Sequence, residues 1–148
     1  MAANTNPIYG RTADVQVGGA VVGPTAVTAQ DGTGSLISIF QADTTEGGFV
    51  RSVRLKPVGS PAATVARIFV FASSAAFTSG TTNTAANTSV FAEVTLAAVT
   101  TSNTVAQSDI EISLNIPLNP GYRLLIGFGT STGAAGTGYA TTTIATKY

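Results

Sequence analysis

The segment between Asp109 and Phe128 constrains the fold of this chain more than any other. Over 109–116 polar and apolar residues alternate without interruption, a turn with two prolines and a glycine follows over 117–121, and an apolar run covers 122–128. Successive side chains of a strand point to opposite faces, so the alternation predicts a strand with one buried face. The residues of that face are Ile110, Ile112, Leu114 and Ile116. Proline cannot donate a ladder hydrogen bond and glycine accepts positive φ, so the turn ends the strand. The segment predicts a strand–turn–strand unit of a sheet.

The remainder of the chain repeats this organisation. Turns rich in glycine and proline separate apolar or alternating segments about every dozen residues, and no segment of useful length has the period of a helix. The predicted strands cover 13–22, 35–41, 49–56, 65–72, 89–97, 109–116, 122–128 and 139–148. Such spacing favours two packed sheets, so the predicted fold is all-β, an eight-stranded jelly-roll-like sandwich. An immunoglobulin-like sandwich is the alternative, although the chain has no Cys or Trp of the kind that marks that fold.

The predicted core and domain boundaries follow from the same pattern. Whichever sandwich topology is correct, one set of strand residues is expected to be buried. These residues are Ile68, Val70, Ile112, Leu114, Leu124 and Ile126. Residues 1–12 contain Pro7 and show no strand or helix period, so we expect an extended N-terminal arm there. One β-sandwich domain is predicted over 13–148, a length that suits a single core.

The arm allows two interpretations. Ordering it costs about 1–2 kcal/mol of backbone entropy per residue, which a partner surface has to offset. In the first interpretation Ile8 and Tyr9 anchor on a neighbouring subunit or on a larger assembly, and Arg11 pairs with an acidic group there. In the second, the arm lies along its own sheet.

Composition excludes several classes of function. Charged residues make up 9% of the chain, they are scattered, and the net charge is zero, so no basic cluster predicts nucleic-acid binding. No apolar run approaches the length of a membrane span, and the N-terminus lacks the pattern of a signal peptide. The chain has no Cys and no His, which removes thiol nucleophiles and the commonest general base and metal ligand. We expect no enzyme activity, cofactor, metal, membrane partner or small-molecule substrate. So neutral a surface suggests burial against copies of the chain or a larger assembly.

Individual motifs do not change this expectation. The glycine-rich stretch 129–138 has no following Lys and no helix, both of which a phosphate-binding loop requires. Asp109 and Glu111 lie on one solvated strand face and supply too few oxygens for a calcium ion. They also lack the placement on two sides of a substrate that paired-carboxylate catalysis needs. We interpret the stretch as a hairpin loop and the carboxylates as surface groups.

Basic residues gather on two neighbouring predicted strands. They are Arg51, Arg54, Lys56 and Arg67. Arg51 is in register with Val53 and Leu55, which predicts that it points inward. A charge in that position requires a partner, so we expect Arg51 either to pair with a carboxylate such as Glu93 or to face an interface, where arginine is favoured.

In its organisation the chain resembles virion proteins of tailed bacteriophages. The resemblance is carried by the strand–turn–strand phrase over 117–126, by the arm sequence over 6–10, and by the small, cysteine-free, Ala/Thr/Gly-rich character of the chain. It is most similar to the jelly-roll decoration (cement) proteins on the outside of icosahedral heads. The resemblance implies a structural virion protein, made in the host cytoplasm, which stabilises the capsid surface. Its implied partners are the major capsid protein and its own copies in a homotrimer.

The same phrase also occurs in tail and fibre domains, so an alternative stays open. In that alternative the chain is a receptor- or glycan-binding β-sandwich domain of a phage tail or fibre. Sugar sites usually stack the ring on aromatic side chains, and this chain has no Trp and only four Tyr. In either case the residues predicted to contact partners are Ile8, Tyr9, Arg11 and Arg51.

Overall fold

A computed structural model of the protein, which describes residues 10–148, contains eight β-strands. Their bounds are β1 Thr12–Val22, β2 Ile37–Gln41, β3 Gly48–Val58, β4 Thr64–Phe71, β5 Thr88–Leu96, β6 Ile110–Leu118, β7 Arg123–Phe128 and β8 Gly138–Lys147. No residue in this range is helical. The predicted all-β sandwich is confirmed, and each predicted strand is present within a few residues of its expected bounds.

The strands form two antiparallel four-stranded sheets. The β1 sheet has the order β1-β8-β3-β6 and the β2 sheet the order β2-β7-β4-β5. The strands pair first with last, β1 with β8, β2 with β7, β3 with β6 and β4 with β5. A long antiparallel hairpin that folds over into two sheets has this first-with-last pairing, and the same pairing is found in jelly-roll-like sandwiches.

The main core lies between the two sheets. Val53 and Leu55 of β3 meet Ile68 of β4 and Leu124 and Ile126 of β7 there, and each of these side chains is 0% exposed. The alternation along β6 buries Ile112 and Leu114 as predicted, and leaves Ile110 and Ile116 half-buried because β6 is an edge strand. Val70 is also half-buried and packs at the margin of this core, so its predicted full burial was wrong.

A second apolar cluster covers the outer face of the β2 sheet. Phe69, Phe71 and Leu125 point to that face and pack against Val27 and Leu36 from the β1–β2 connection. The long Thr/Asn-rich loop after β4 adds Phe77, whose ring meets that of Phe71 edge-on at 5.5 Å.

Asn83 joins the two loops that cover this cluster. It is buried in the loop after β4, and its amide donates to the carbonyl oxygens of Gly32 and Gly34, at 2.8 Å each. Because a buried amide needs such partners, these bonds fix the two loops to each other. The long loop therefore has a structural role as a cover for the β2 sheet.

A β-bulge in β3 makes the predicted inward position of Arg51 wrong. Val50 pairs with Ala145 of β8, but the next paired residue, Ser52, faces Ile144, so Arg51 is an extra residue relative to β8. The extra residue shifts the alternation, which puts Val50 and Val53 inside and leaves Arg51 exposed. On the other side of β3 the extra residue belongs to β6, where Leu114 and Asn115 together face Arg51 and Asn115 has a φ of 52°.

Glu93 pairs with Arg67 rather than with Arg51. The Arg67 Nε donates to Glu93 Oε1 at 2.6 Å, and Nη1 donates to the carbonyl oxygen of Val27 at 3.2 Å. The Arg67 side chain is 11% exposed and that of Glu93 50% exposed. The pair joins neighbouring residues of β4 and β5 on the outer face of the β2 sheet.

A second bulge changes β5. Ile68 pairs with Ala92, whereas Phe69 pairs with Val90, so Phe91 is the extra residue. Ala92, Val94 and Leu96 face the core, but Val90, which strict alternation would place on the same face, points away from it. Phe91 is left 47% exposed at the edge of the sandwich.

Candidate interaction surfaces

The first candidate surface is the outer face of the β1 sheet. Val15 and Val17 of the edge strand β1 pair with Ile144 and Thr142 of β8. These residues alternate with inward-facing ones such as the buried Thr143, so they lie on the outer side of the sheet. Val15 is 57% and Val17 70% exposed. Unlike the loop-covered outer face of β4 and β7, this face offers β-branched apolar and hydroxyl side chains to solvent.

Ionic groups lie on the same face, on the inner strand β3 next to β6. Lys56 Nζ lies 2.9 Å from Asp109 Oδ1, and Arg54 bonds the other oxygen of the same carboxylate. With Ala140 and Thr142 these residues line a shallow depression of about 290 Å³. The hydrogen bond from Lys56, and then the charges of Lys56 and Arg54, hold the pKa of Asp109 below its usual value. A lowered carboxyl pKa keeps the two ion pairs intact near neutral pH and loses them only as pH falls through that pKa.

The second candidate surface is an apolar groove where the two sheets meet at their β5 and β6 edges. We call it the side groove; it is lined by Val70, Phe91, Ile116, Tyr122 and the segment 117–119, and its volume is about 280 Å³. β5 is an edge strand of one sheet and β6 of the other. The bulge in β5 turns the Phe91 ring into this groove, so an aromatic side chain that a regular strand would place elsewhere forms one wall.

The opposite side of the sandwich is closed. There the side chain of Gln16 on β1 binds the backbone of Gln41 on β2 twice, donating from Nε2 to the carbonyl oxygen at 2.8 Å and accepting from the amide at 3.0 Å. No hydrogen bond between residues of the described range joins β5 to β6 in this way. The side groove is therefore the open side of the sandwich.

The four predicted contact residues are not brought together at one described site. Arg11 is at the surface, where its guanidinium lies 3.6 Å from Glu46 of the same chain and its side chain is 75% exposed. Arg51 is exposed on β3. Ile8 and Tyr9 lie outside the described residues. Within its own chain Arg11 has this one weak acidic contact, and its pairing with an acidic group on a neighbour stays a prediction.

The described residues contain neither a metal-binding cluster nor a membrane-crossing helix. Within 10–148 no group of three or more acidic side chains is placed to hold a metal ion. The same range has no helix long and apolar enough to cross a membrane.

Burial lowers the pKa of the Arg123 guanidinium. Its Nε has no hydrogen-bond partner in the described part of the chain.

Comparison with models of protein families, with curated proteins and with solved structures finds no match for this chain.

Sequence reasoning missed the residues that define both surfaces. Glycines interrupt the pattern directly after Val17, so the sequence defines no outer face that would single out Val15 and Val17. Phe91 was passed over because the alternation of its neighbours hid the bulge. For Phe91 a signal was available: a large aromatic residue at an outward position of a predicted strand is unusual enough to mark an interface.

Proposed function

We propose that the protein is a structural virion subunit that decorates a bacteriophage head, binding the outer surface of the capsid through the outer face of the β1 sheet. The observation that carries this proposal is the difference between the two outer faces. Over β4 and β7 the β2 sheet is covered by its own loops, which bury Phe69 and Leu125 completely, and Val90 of its edge strand β5 is left as an exposed apolar residue. The β1 sheet leaves Val15 and Val17 exposed, on a chain that has few charged residues to keep such a face in solvent.

The chemistry of this face suits a broad, flat partner. Exposed strand residues with branched apolar and hydroxyl side chains pack well against another surface, and interface cores are depleted of charge. The charged side chains Arg54 and Lys56 of the inner strand β3 on this face are already paired with Asp109 of the same chain. A contact of this composition depends on apolar burial more than on charge attraction. We therefore expect capsid binding to change little between low and moderate salt, since salt screens mainly exposed charges.

The proposal predicts that Val17→Lys weakens binding to heads by about tenfold or more, because it places a strongly hydrated charge in the interface core. The measurement is co-sedimentation of the purified protein with heads assembled without it, over a range of protein concentrations. Val105→Lys is the matched control: Val105 is 62% exposed but lies in the loop between β5 and β6. Equal binding by both variants would contradict a role for the β1 sheet face.

A second candidate is the receptor- or glycan-binding domain of a tail or fibre. The specific observation in its favour is that the side groove contains two aromatic residues, Phe91 and Tyr122, and aromatic faces are what sugar rings stack on. Binding of purified host-surface polysaccharide that Phe91→Ala abolishes, together with no binding to heads, would favour this candidate.

A further inference from the structure

The side groove has the features of a surface that receives another chain. Its walls are apolar, its Phe91 ring is 47% exposed, and it lies between two edge strands. An edge strand presents unpaired backbone donors and acceptors, which proteins normally cover or protect. Pro117 gives β6 some protection, because proline has no amide to donate, whereas Val90 and Phe91 of β5 are both exposed.

We infer that the side groove of one copy receives the segment Pro7-Ile8-Tyr9 of a second copy. The inference rests on the proposed virion role and deepens it, because it names the contact between copies. Its physical basis is the groove and the position of Gly10, where the described chain begins.

The described chain begins at the same end of the sandwich as the groove. Thr12 pairs with Lys147 of β8, and the next residue of β8, Thr146, pairs with Phe49 of β3, which in turn pairs with Pro117 of β6. Pro117 lines the groove. Gly10 lies directly against Thr146, where an added Cβ would overlap the threonine side chain. Gly10, the first described residue, therefore lies on the outer side of β8 at the groove end.

The groove of the same copy is out of reach for Ile8 and Tyr9. From Thr146 on β8 the path crosses β3 and β6, two strand spacings or about 10 Å, and then turns between sheets that pack about 10 Å apart. Ile8 lies two residues before Gly10, which limits its backbone to about 7 Å from that position. In a copy alongside, no such limit applies. The geometry points to exchange between copies rather than to closure on the same chain.

The chemistry of the segment fits the groove. Ile8 and Tyr9 are the bulkiest apolar side chains before residue 10, and Pro7 cannot donate a hydrogen bond. An extended segment that adds to a sheet edge inserts alternate side chains into pockets beside it. Between Phe91 and Tyr122 such a side chain meets aromatic and aliphatic surface without desolvating a charge.

An arm that enters a neighbour's groove makes a head-to-tail contact. Contacts of this kind close into rings when the rotation between copies allows it, so the arrangement is compatible with the homotrimer expected for a decoration subunit. Each copy then gives one arm and receives one.

The test uses the absence of cysteine from the chain. One preparation carries Ile8→Cys and a C-terminal tag that changes its gel mobility, and a second carries Phe91→Cys without the tag. Both full-length proteins are mixed, allowed to exchange, and treated with a short thiol–thiol cross-linker. We expect the yield of covalent heterodimer to be about tenfold higher than in a mixture of Ile8→Cys with Val90→Cys. Val90 is 42% exposed on the same strand but does not line the groove.

A second measurement covers the case in which the cysteines perturb the contact. In sedimentation velocity we expect the wild-type protein to associate. At the same concentration we expect the double variant Ile8→Ala/Tyr9→Ala and the variant Phe91→Lys to be monomeric. The control Val90→Lys is expected to associate like the wild type. Thermal unfolding of each variant checks that the sandwich is intact. Equal cross-linking at residues 90 and 91 would overturn the inference, and so would a wild-type monomer or unchanged association of both groove and arm variants.

These outcomes are separable from failure of the proposed function, because no heads are present in either measurement. Specific cross-linking by a protein that does not bind heads would leave the arm contact standing and remove the decoration role. Head binding without specific cross-linking would remove the arm contact and leave the decoration role standing.

Discussion

Replacement of Ile126 by Ala is expected to lower the free energy of unfolding by about 2–5 kcal/mol. Ile126 is 0% exposed, and its strand β7 lies between β2 and β4, so its side chain is enclosed by both neighbouring strands and the opposite sheet. Removing it loses burial and leaves a cavity that a closely packed sandwich fills only in part. The loss is a large share of the roughly 5–15 kcal/mol that stabilises a domain.

Urea unfolding followed by near-ultraviolet circular dichroism measures this effect, with Ile37→Ala as the matched control. Ile37 belongs to β2 in the same sheet but is 37% exposed, so its truncation is expected to cost about 1 kcal/mol or less. Similar midpoints for the two variants would show that β7 is not the centre of the core.

Gly138→Ala is expected to cost about 1–3 kcal/mol through overpacking. Gly138 starts β8, and a Cβ added there would overlap the backbone carbonyl oxygen of Val22, where β1 and β8 meet after a register shift. A backbone atom cannot rotate away as a side chain can, so the end of β1 has to move.

Gly129→Ala is the control for this substitution. At Gly129 the closest neighbour of an added Cβ is the Arg67 guanidinium at 3.3 Å, the end of a long side chain that can shift. Neither glycine has a positive φ, so the comparison isolates space from backbone strain. We expect Gly129→Ala to change the free energy of unfolding by less than about 1 kcal/mol. Equal effects of the two substitutions would contradict the close approach of β1 and β8.

Local pattern was enough to predict the strands that carry the core. In β6 every second residue is apolar, and the burial of Ile112 and Leu114 follows from that alternation alone. The dense apolar runs predict β4 and β7 as strands, and the structure packs Ile68 of β4 inward and Phe69 outward. Periodicity succeeds here because burial on a regular strand depends only on the side to which each residue points.

The same reasoning failed at the two bulges. The sequence around Arg51 contains no signal for an extra residue, because the bulge arises from the registers of β3 with β6 and β8 together. Around Phe91 the extra residue arises from pairing with β4. The side groove is unpredictable for a related reason: Phe91 and Ile116 meet only because the topology places the β5 and β6 edges on one side of the sandwich.

Electron cryo-microscopy of the virion that we propose carries this protein tests the central claim most directly. The account predicts β-sandwich density on the outer surface of the head, oriented with β1 and β8 toward the capsid and the β2 sheet with its covering loops toward solvent. Density for the sandwich at the tail or on a fibre, or on the head with the β2 sheet against the capsid, would contradict it.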